Sequence, residues 1–307
     1  MADVDSFRGV ITKGVGGVYT VRFENNGRYE YVLCAARGQF RLKGIKPAIG
    51  DKVSIMPSGD PDIPYVITDI SERVSFIARP PVANLSVMLL TFSVTNPEPD
   101  LTLLDKMLLV CSLNDIRPVI IFTKSDLNED DGERLCSVYK KAGYEVLLSS
   151  PDKPLTKSDL KDIIGDGIAA FAGPSGVGKS TLCNSLLGYD LMETGEVSAK
   201  IKRGKHTTRH VELFDFGEGF ITDTPGFTSL SLLQLGIGYK EVPAGYPEIY
   251  KFTGKCKYDD CRHIKEEGCV VREALSLGQI GEERYNRYRE FSEELYNERN
   301  NYKRRKA

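Results

Sequence analysis

The chain has 307 residues, 41% hydrophobic and 27% charged, with 41 basic against 43 acidic side chains and a net charge of -2. That length suggests two or three domains with enough apolar material for proper cores. The near-neutral balance excludes a globally basic nucleic-acid binder, so any such footprint must be local.

No apolar run approaches the roughly 18 residues that cross a bilayer. The opening MADVDSFRGV has no apolar signal-peptide core. A cytoplasmic protein without a membrane partner is expected, and Cys34, Cys111, Cys136 and Cys183 then act as small hydrophobes.

Residues 1–72 predict a small β-barrel. Val10–Ile11, Val18–Phe23, Tyr29–Cys34 and Lys52–Ile55 have strand composition, and Asn25-Asn26-Gly27 is a hairpin signal because Asn and Gly tolerate positive φ. About five short strands in such a length suggest an OB-fold. Between Arg28 and Lys52 six basic residues (Arg28, Arg37, Arg41, Lys43, Lys46, Lys52) face two acidic ones, Glu30 and Asp51. Tyr31 and Phe40 among them would suit an OB-type nucleic-acid face.

From residue 73 to 235, strands alternate with helices, the pattern of a parallel α/β sheet covered by helices on both faces. Leu85–Phe92, Val119–Phe122, Glu145–Leu148, Ile168–Ala172 and Phe220–Thr222 have strand character, and Leu101–Leu113 has helical spacing. Residues 150–158 are loop-like.

Thr123-Lys124-Ser125-Asp126 closes one of these strands and fits the pattern [NT]-K-x-D. Guanine offers two adjacent N–H donors that one carboxylate, Asp126, can accept together. Adenine does not, and a mispaired buried carboxylate costs about 1–3 kcal/mol or more. The Lys124 stem can lie over the base. Ser149-Ser150 follows the next strand, where a loop could meet the guanine carbonyl.

Gly173-Pro174-Ser175-Gly176-Val177-Gly178-Lys179-Ser180, with Thr181 behind it, is a P-loop between an apolar strand and a helix. Its glycines let backbone amides turn to the phosphates, and the helix N-terminus adds positive partial charge. Lys179 reaches the outer phosphates and the Ser180 hydroxyl takes Mg²⁺.

Gly204-Lys-His-Thr-Thr-Arg209 lies where a first switch should be, with Thr208, or its neighbour Thr207, as a magnesium ligand. Asp223-Thr-Pro-Gly226 fits D-x-x-G: Asp223 holds Mg²⁺ through water and the Gly226 amide senses the γ-phosphate. The glutamine that follows this motif in Ras-like enzymes is replaced by Phe227, which cannot orient a water. His206 is the best internal substitute, a solvated loop histidine being the alternative. Asp126 argues against an ATPase or kinase. A binding module gated by the nucleotide, with hydrolysis incidental, stays open on motifs alone.

A Gly/Pro-rich stretch near 236–247 begins the last segment, 236–307. There Cys256, Cys261, His263 and Cys269, spaced by four, one and five residues, supply three thiolates and an imidazole. That is a complete tetrahedral set for one structural Zn²⁺, in a polar loop that cannot fold on burial alone. Arg262 beside it is expected to face a partner. From Glu282 a long polar helix carries Tyr285, Tyr288, Phe291 and Leu295 at helical spacing, ending on Lys303 to Lys306.

The guanine motif precedes the P-loop, whereas ordinary GTPases carry it after D-x-x-G. A cut and rejoined chain changes loop connectivity but not buried contacts. With the barrel and the Cys/His segment, this order resembles one family, the small-ribosomal-subunit-dependent, circularly permuted GTPases of the RsgA (YjeQ/YloQ) type. The resemblance covers essentially the whole chain. It implies three domains (1–72 OB-fold, 73–235 permuted GTPase, 236–307 zinc-binding) and a monomer that binds the 30S subunit through 16S rRNA. It also implies hydrolysis of GTP to GDP, faster on the subunit, in late subunit maturation.

Overall fold

The computed structural model describes residues 6–42, 44–78, 80–188, 211–223 and 231–306. Strands β1 (Phe7–Val15), β2 (Val18–Asn25), β3 (Arg28–Ala36), β4 (Lys52–Pro57) and β5 (Tyr65–Ile70) form a closed barrel in the order β1-β2-β3-β5-β4. Only the β3–β5 pair is parallel, the arrangement of an OB-fold. The β2–β3 turn is the two residues Asn26 and Gly27, with φ of 51° and 75°, as a primed hairpin turn requires.

Alternating residues point inward, so Ile11, Val21, Phe23, Cys34, Val53, Ile55 and Ile67 fill the barrel. Phe40, on the short helix α1 (Gly38–Leu42), joins them at 5% exposure. It is therefore core rather than part of a nucleic-acid face, because a ring here finds an apolar barrel to plug.

A short hairpin, β6 (Phe76–Ala78) and β7 (Pro81–Ala83), follows the barrel. Next come β8 (Leu85–Ser93), α2 (Leu101–Leu113), β9 (Arg117–Thr123), α3 (Glu129–Lys141), β10 (Glu145–Leu148), α4 (Lys157–Ile164), β11 (Ile168–Ala172), α5 (Lys179–Leu187), β12 (Phe214–Phe216) and β13 (Gly219–Asp223). The strands make one six-stranded sheet of order β10-β9-β8-β11-β13-β12. β9 and β10 are parallel, as are β11 and β13, while β12 is an antiparallel edge.

The central strand β11 is apolar and buried at every position, and β8 and β9 nearly so, because both faces are covered. The helices start on side-chain caps: Asp100 accepts from the Leu103 amide at 2.9 Å, and Asn128 from that of Asp131 at 3.2 Å. α4 opens with a Thr156/Asp159 capping box. The C-terminal segment contributes α6 (Pro247–Tyr250), α7 (Val270–Ser276) and α8 (Glu282–Lys306).

By compactness the chain divides into two units: residues 1–88, 155–172 and 179–226, and residues 89–154, 173–178 and 227–307. In the second, Tyr285, Tyr288, Phe291 and Leu295 of α8 are buried with Val242, Tyr246, Ile249 and Val271, and with Leu109 of α2. Under that apolar stripe lies a buried charge cluster. Asp105 accepts from Arg284 at 2.5 Å, Arg287 at 2.6 Å and the Tyr139 hydroxyl at 2.9 Å, and Arg284 also reaches Glu248 at 2.8 Å.

Candidate nucleotide site and metal centre

In the second unit, the loop that leaves β9 is stapled to the glycine loop 54 residues later. The Thr123 hydroxyl donates to the Val177 carbonyl at 2.6 Å, and the Lys124 ammonium to that of Gly176 at 3.0 Å. Lys124 takes a left-handed φ of 56°, which turns the chain into a single helical turn, Ser125–Leu127. Asp126 lies on that turn and is exposed. The turn is held from the other side, since the Ser125 amide and hydroxyl both donate to the Ser149 carbonyl at 3.2 Å. Ser149 itself continues β10 beside β9, its amide on the Phe122 carbonyl at 2.9 Å. Ser150 caps the turn that follows, accepting from Lys153.

The glycines of the cradle have separate reasons. Gly173 has φ of +145°, and a Cβ there would sit 2.0 Å from the Thr91 carbonyl of β8. Only a glycine lets the loop leave the sheet so close to its neighbour. Gly176 and Gly178, at φ of +79° and +93°, face open space; they are needed for the turn itself, which aims amides outward. Ser175 is exposed, and Val177 anchors the loop with a buried side chain. Such a loop running into a helix is built to hold phosphate oxygens.

In the first unit, α5 begins at Lys179, with Ser180 and Thr181 in its first turn. β13 ends at Asp223, whose backbone is in register with Phe171 of the adjacent parallel strand. β11 and β13 therefore end side by side, at Ala172 and Asp223. Ligands bind at such carboxyl ends in open α/β sheets.

The metal candidates converge. The ligand atoms of Cys256, Cys261, His263 and Cys269 all lie within 4.8 Å of one another. His263 Nδ1 is 3.4 Å from Cys256 Sγ and 3.5 Å from Cys269 Sγ, and the two sulfurs are 4.0 Å apart. A tetrahedral zinc with Zn–S of about 2.3 Å and Zn–N of about 2.05 Å needs S···S near 3.8 Å and S···N near 3.6 Å. The donor set fits.

The loop is held from outside as well. His263 sits at φ +62° and its carbonyl accepts from the Tyr285 hydroxyl at 2.8 Å, while Tyr288 donates to the Arg262 carbonyl at 3.1 Å. The Glu266 carboxylate accepts from the Ile264 and Lys265 amides at 2.9 and 3.0 Å. Burial pushes the Cys261 thiol up to about 12, raises that of Cys269, and lowers His263. His263 is thus neutral with a lone pair to give, and the thiols ionise only against a cation's charge.

A family model described as RsgA GTPase matches residues 70–233, and one for the RsgA N-terminal domain matches residues 8–62. The small ribosomal subunit biogenesis GTPase RsgA of Clostridium botulinum is 40% identical over 293 residues, 95% of this chain and 98% of that protein. The chain belongs to the RsgA GTPase family. Its counterpart in Clostridium acetobutylicum is 42% identical over 282 residues, 92% of this chain and 95% of the relative. Among solved structures, YloQ, described as a circularly permuted GTPase, superposes with a TM-score of 0.77 at 33% identity, covering 96% of each chain. YjeQ from Thermotoga maritima gives 0.77 at 30% identity, covering 95% of this chain and 99% of that one. As an RsgA-family member the chain is a GTP hydrolase with permuted motifs, and it pairs GTP with Mg²⁺.

Of the residues singled out by sequence, those of the guanine loop, the cradle and the metal cluster are in the described structure. Thr207, Thr208, His206, Gly226 and Phe227 lie outside the described residues. Two expectations are corrected beside that of Phe40. Arg262 does not face outward free: it pairs with Glu266 at 3.8 Å and its guanidinium lies 3.9 Å over the Tyr296 ring. Tyr31 is exposed as expected, but its hydroxyl is engaged by Asp215.

Sequence reasoning missed the Asp105/Arg284 cluster and the environment of Arg22, which is buried in strand β2. Arg22 stands between the inward-facing Val21 and Phe23, so it points out of the barrel, where a sequence reads an arginine as solvated.

Proposed function

We propose that this RsgA-family GTPase acts in biogenesis of the small ribosomal subunit, hydrolysing GTP to GDP and phosphate on the 30S particle and more slowly alone. The observation that carries the nucleotide part is the double staple from Thr123 and Lys124 to Val177 and Gly176. It ties a guanine reader to a phosphate cradle at fixed separation, as a bound guanosine nucleotide requires. The ribosomal part is supported by the names that the relatives carry.

In this reading Thr123, Lys124, Ser125 and Asp126 read the base, with Ser149 and Ser150 at its carbonyl. Gly173 to Thr181 hold the phosphates, with Lys179 on the outer ones, and Ser180, Thr208 and Asp223 serve Mg²⁺. Gly226 senses the γ-phosphate. His206 orients the attacking water once the subunit has ordered its loop. Cys256, Cys261, His263 and Cys269 hold one structural Zn²⁺.

We read three domains, 1–72, 73–235 and 236–307, in a cytoplasmic monomer that meets 16S rRNA through the barrel and the zinc segment. A groove of about 580 Å³ on the barrel, lined by Tyr19, Arg37, Ile45 and Lys46 among others, supports the first of these contacts. A nucleic-acid strand wants such a mix of cation and apolar face.

The test is GTP turnover with and without purified 30S subunits. Turnover alone should stay near the unassisted Ras-type scale of about 10⁻⁴ s⁻¹, within tenfold, and should rise on the subunit. His206→Ala should keep GTP affinity and lose at least about tenfold of the stimulated rate. A wild-type rate indifferent to 30S would refute the ribosomal reading, and full stimulation in the variant would refute His206.

A further inference from the structure

One polar cluster joins two parts of the first unit that sequence reasoning kept separate. Arg22 lies in the barrel strand β2 and is 6% exposed. Its guanidinium is sandwiched between rings, 4.2 Å from the Tyr29 centroid and 3.7 Å from that of Phe220 in β13. One nitrogen donates to Asp215 Oδ1 of β12 at 2.7 Å, and the other to the Glu218 carbonyl, in the β12–β13 turn, at 2.5 Å. Arg22 therefore grips the first strand, the turn and the second strand of the same hairpin. The Tyr31 hydroxyl of β3 holds the other Asp215 oxygen.

A second grip lies just upstream. The Leu213 amide donates to the Thr12 carbonyl of β1 at 2.9 Å, and Lys13 pairs with Glu212 at 2.8 Å. The β12–β13 hairpin is paired to the sheet on one side only, through β11. Among the described residues no strand lies across its outer strand, and the barrel's side chains supply contacts there.

The hairpin's second strand ends at Asp223, three residues beyond the Phe220 ring that Arg22 stacks on. Its register is Phe220 on Ile168 and Asp223 on Phe171. β13 lies between β11 and β12, and β12 is a three-residue edge strand whose outer side meets the barrel through Arg22 and Tyr31. We propose that Arg22 is a positioning residue for GTP hydrolysis: by clasping the β12–β13 hairpin to the barrel it sets the position of Asp223, and so couples barrel occupancy to magnesium binding. Ligands that engage Tyr29 or Tyr31, both about half exposed, act on two groups of the clasp. Arg22 is chosen over lysine because only a planar fork can stack between two rings while donating to a carboxylate and a carbonyl.

The proposal rests on the magnesium role assigned to Asp223, and the experiment separates the two. Single-turnover GTP hydrolysis by the full chain and, in parallel, the Mg²⁺ dependence of GTP affinity by titration are measured for wild type, Arg22→Gln, Arg22→Lys, Asp215→Asn, the Arg22→Gln/Asp215→Asn double variant and Asp223→Asn. Asp215 is a mild site, with its side chain 45% exposed, so that variant stays informative should Arg22→Gln fold poorly. Half-saturating Mg²⁺ should rise at least about threefold in Arg22→Gln and Asp215→Asn, with the rate at saturating Mg²⁺ largely recovered. The double variant should be no worse than the worse single one, and Arg22→Lys should recover part of the shift. Wild-type Mg²⁺ dependence in Arg22→Gln or in Asp215→Asn, or a rate loss that Mg²⁺ does not rescue, would overturn the clasp. Unchanged Mg²⁺ dependence in Asp223→Asn would instead sink the magnesium assignment and the clasp with it. A shift confined to Asp223→Asn leaves that assignment standing and rejects the clasp alone.

Discussion

Asp105→Asn isolates the charge cluster that holds the C-terminal segment to α2. Asp105 is fully buried and serves three donors: Arg284, Arg287 and the Tyr139 hydroxyl. With Arg284, Arg287 and Glu248 the cluster carries two positive and two negative charges, and the amide leaves it with one positive charge in excess. Arg284, 1% exposed, keeps Glu248 and the Gly245 carbonyl. Arg287 loses its ion pair with Asp105, yet at 13% exposure it can swing partly toward water. Breaking a buried pair costs about 3–5 kcal/mol, and that escape route favours the lower end. Set against a typical stability of about 5–15 kcal/mol, the loss is large.

The assay is guanidinium unfolding followed by tyrosine fluorescence, because the chain has 15 tyrosines and no tryptophan. Tyr139, Tyr246, Tyr285 and Tyr288 all lie in the affected unit. With a slope of about 4 kcal/mol per molar, a loss of about 3 kcal/mol lowers the midpoint of that transition by about 0.7 M. A shift under about 0.2 M with unchanged slope would mean that the cluster is not a net holder of the segment.

Asp126→Asn should weaken GTP at least about tenfold and favour xanthosine triphosphate, whose base offers an acceptor where guanine has a donor; unchanged GTP affinity in a titration would refute the base reader. Purified protein should hold one zinc per chain by metal analysis, and Cys261→Ala should retain well under one equivalent. Chelation should unfold residues 256–269 in hydrogen exchange while the sheet stays protected, and equal protection with and without chelator would rule out a structural metal. Gly173→Ala should cost about 2–5 kcal/mol from its left-handed backbone and the approach to Thr91, and it should lose GTP binding in the same titration. Wild-type affinity and melting midpoint would show that the Thr91 strand can yield.

What was legible in the sequence, and what was not, divides by the range of the physics involved. The cradle could be read because its demands are local: a loop that turns amides outward needs Gly176 and Gly178 whatever surrounds it. The same holds for Asp126, whose neighbours Lys124 and Ser125 fix the turn, and for four donors spaced within fourteen residues. The barrel was legible in class but not in extent. Only Val10–Ile11 had strand character where the strand runs from Phe7 to Val15, since Lys13 and Gly14 belong to a strand only once Thr20 and Tyr19 pair with them. α3 went unread because Gly132, Leu135 and Tyr139 are its only buried residues, too thin a stripe for periodicity to report. The long-range clasps were illegible for a stricter reason. Arg22 and Asp215 are 193 residues apart and Asp105 and Arg284 179 apart, and nothing local to any of the four announces a partner. Arg22 points out of the barrel between the inward-facing Val21 and Phe23, and only its burial in the fold demands a carboxylate, because an unpaired buried guanidinium is too costly to keep. Fold geometry alone chooses which one. In this chain it chooses the hairpin that ends at Asp223.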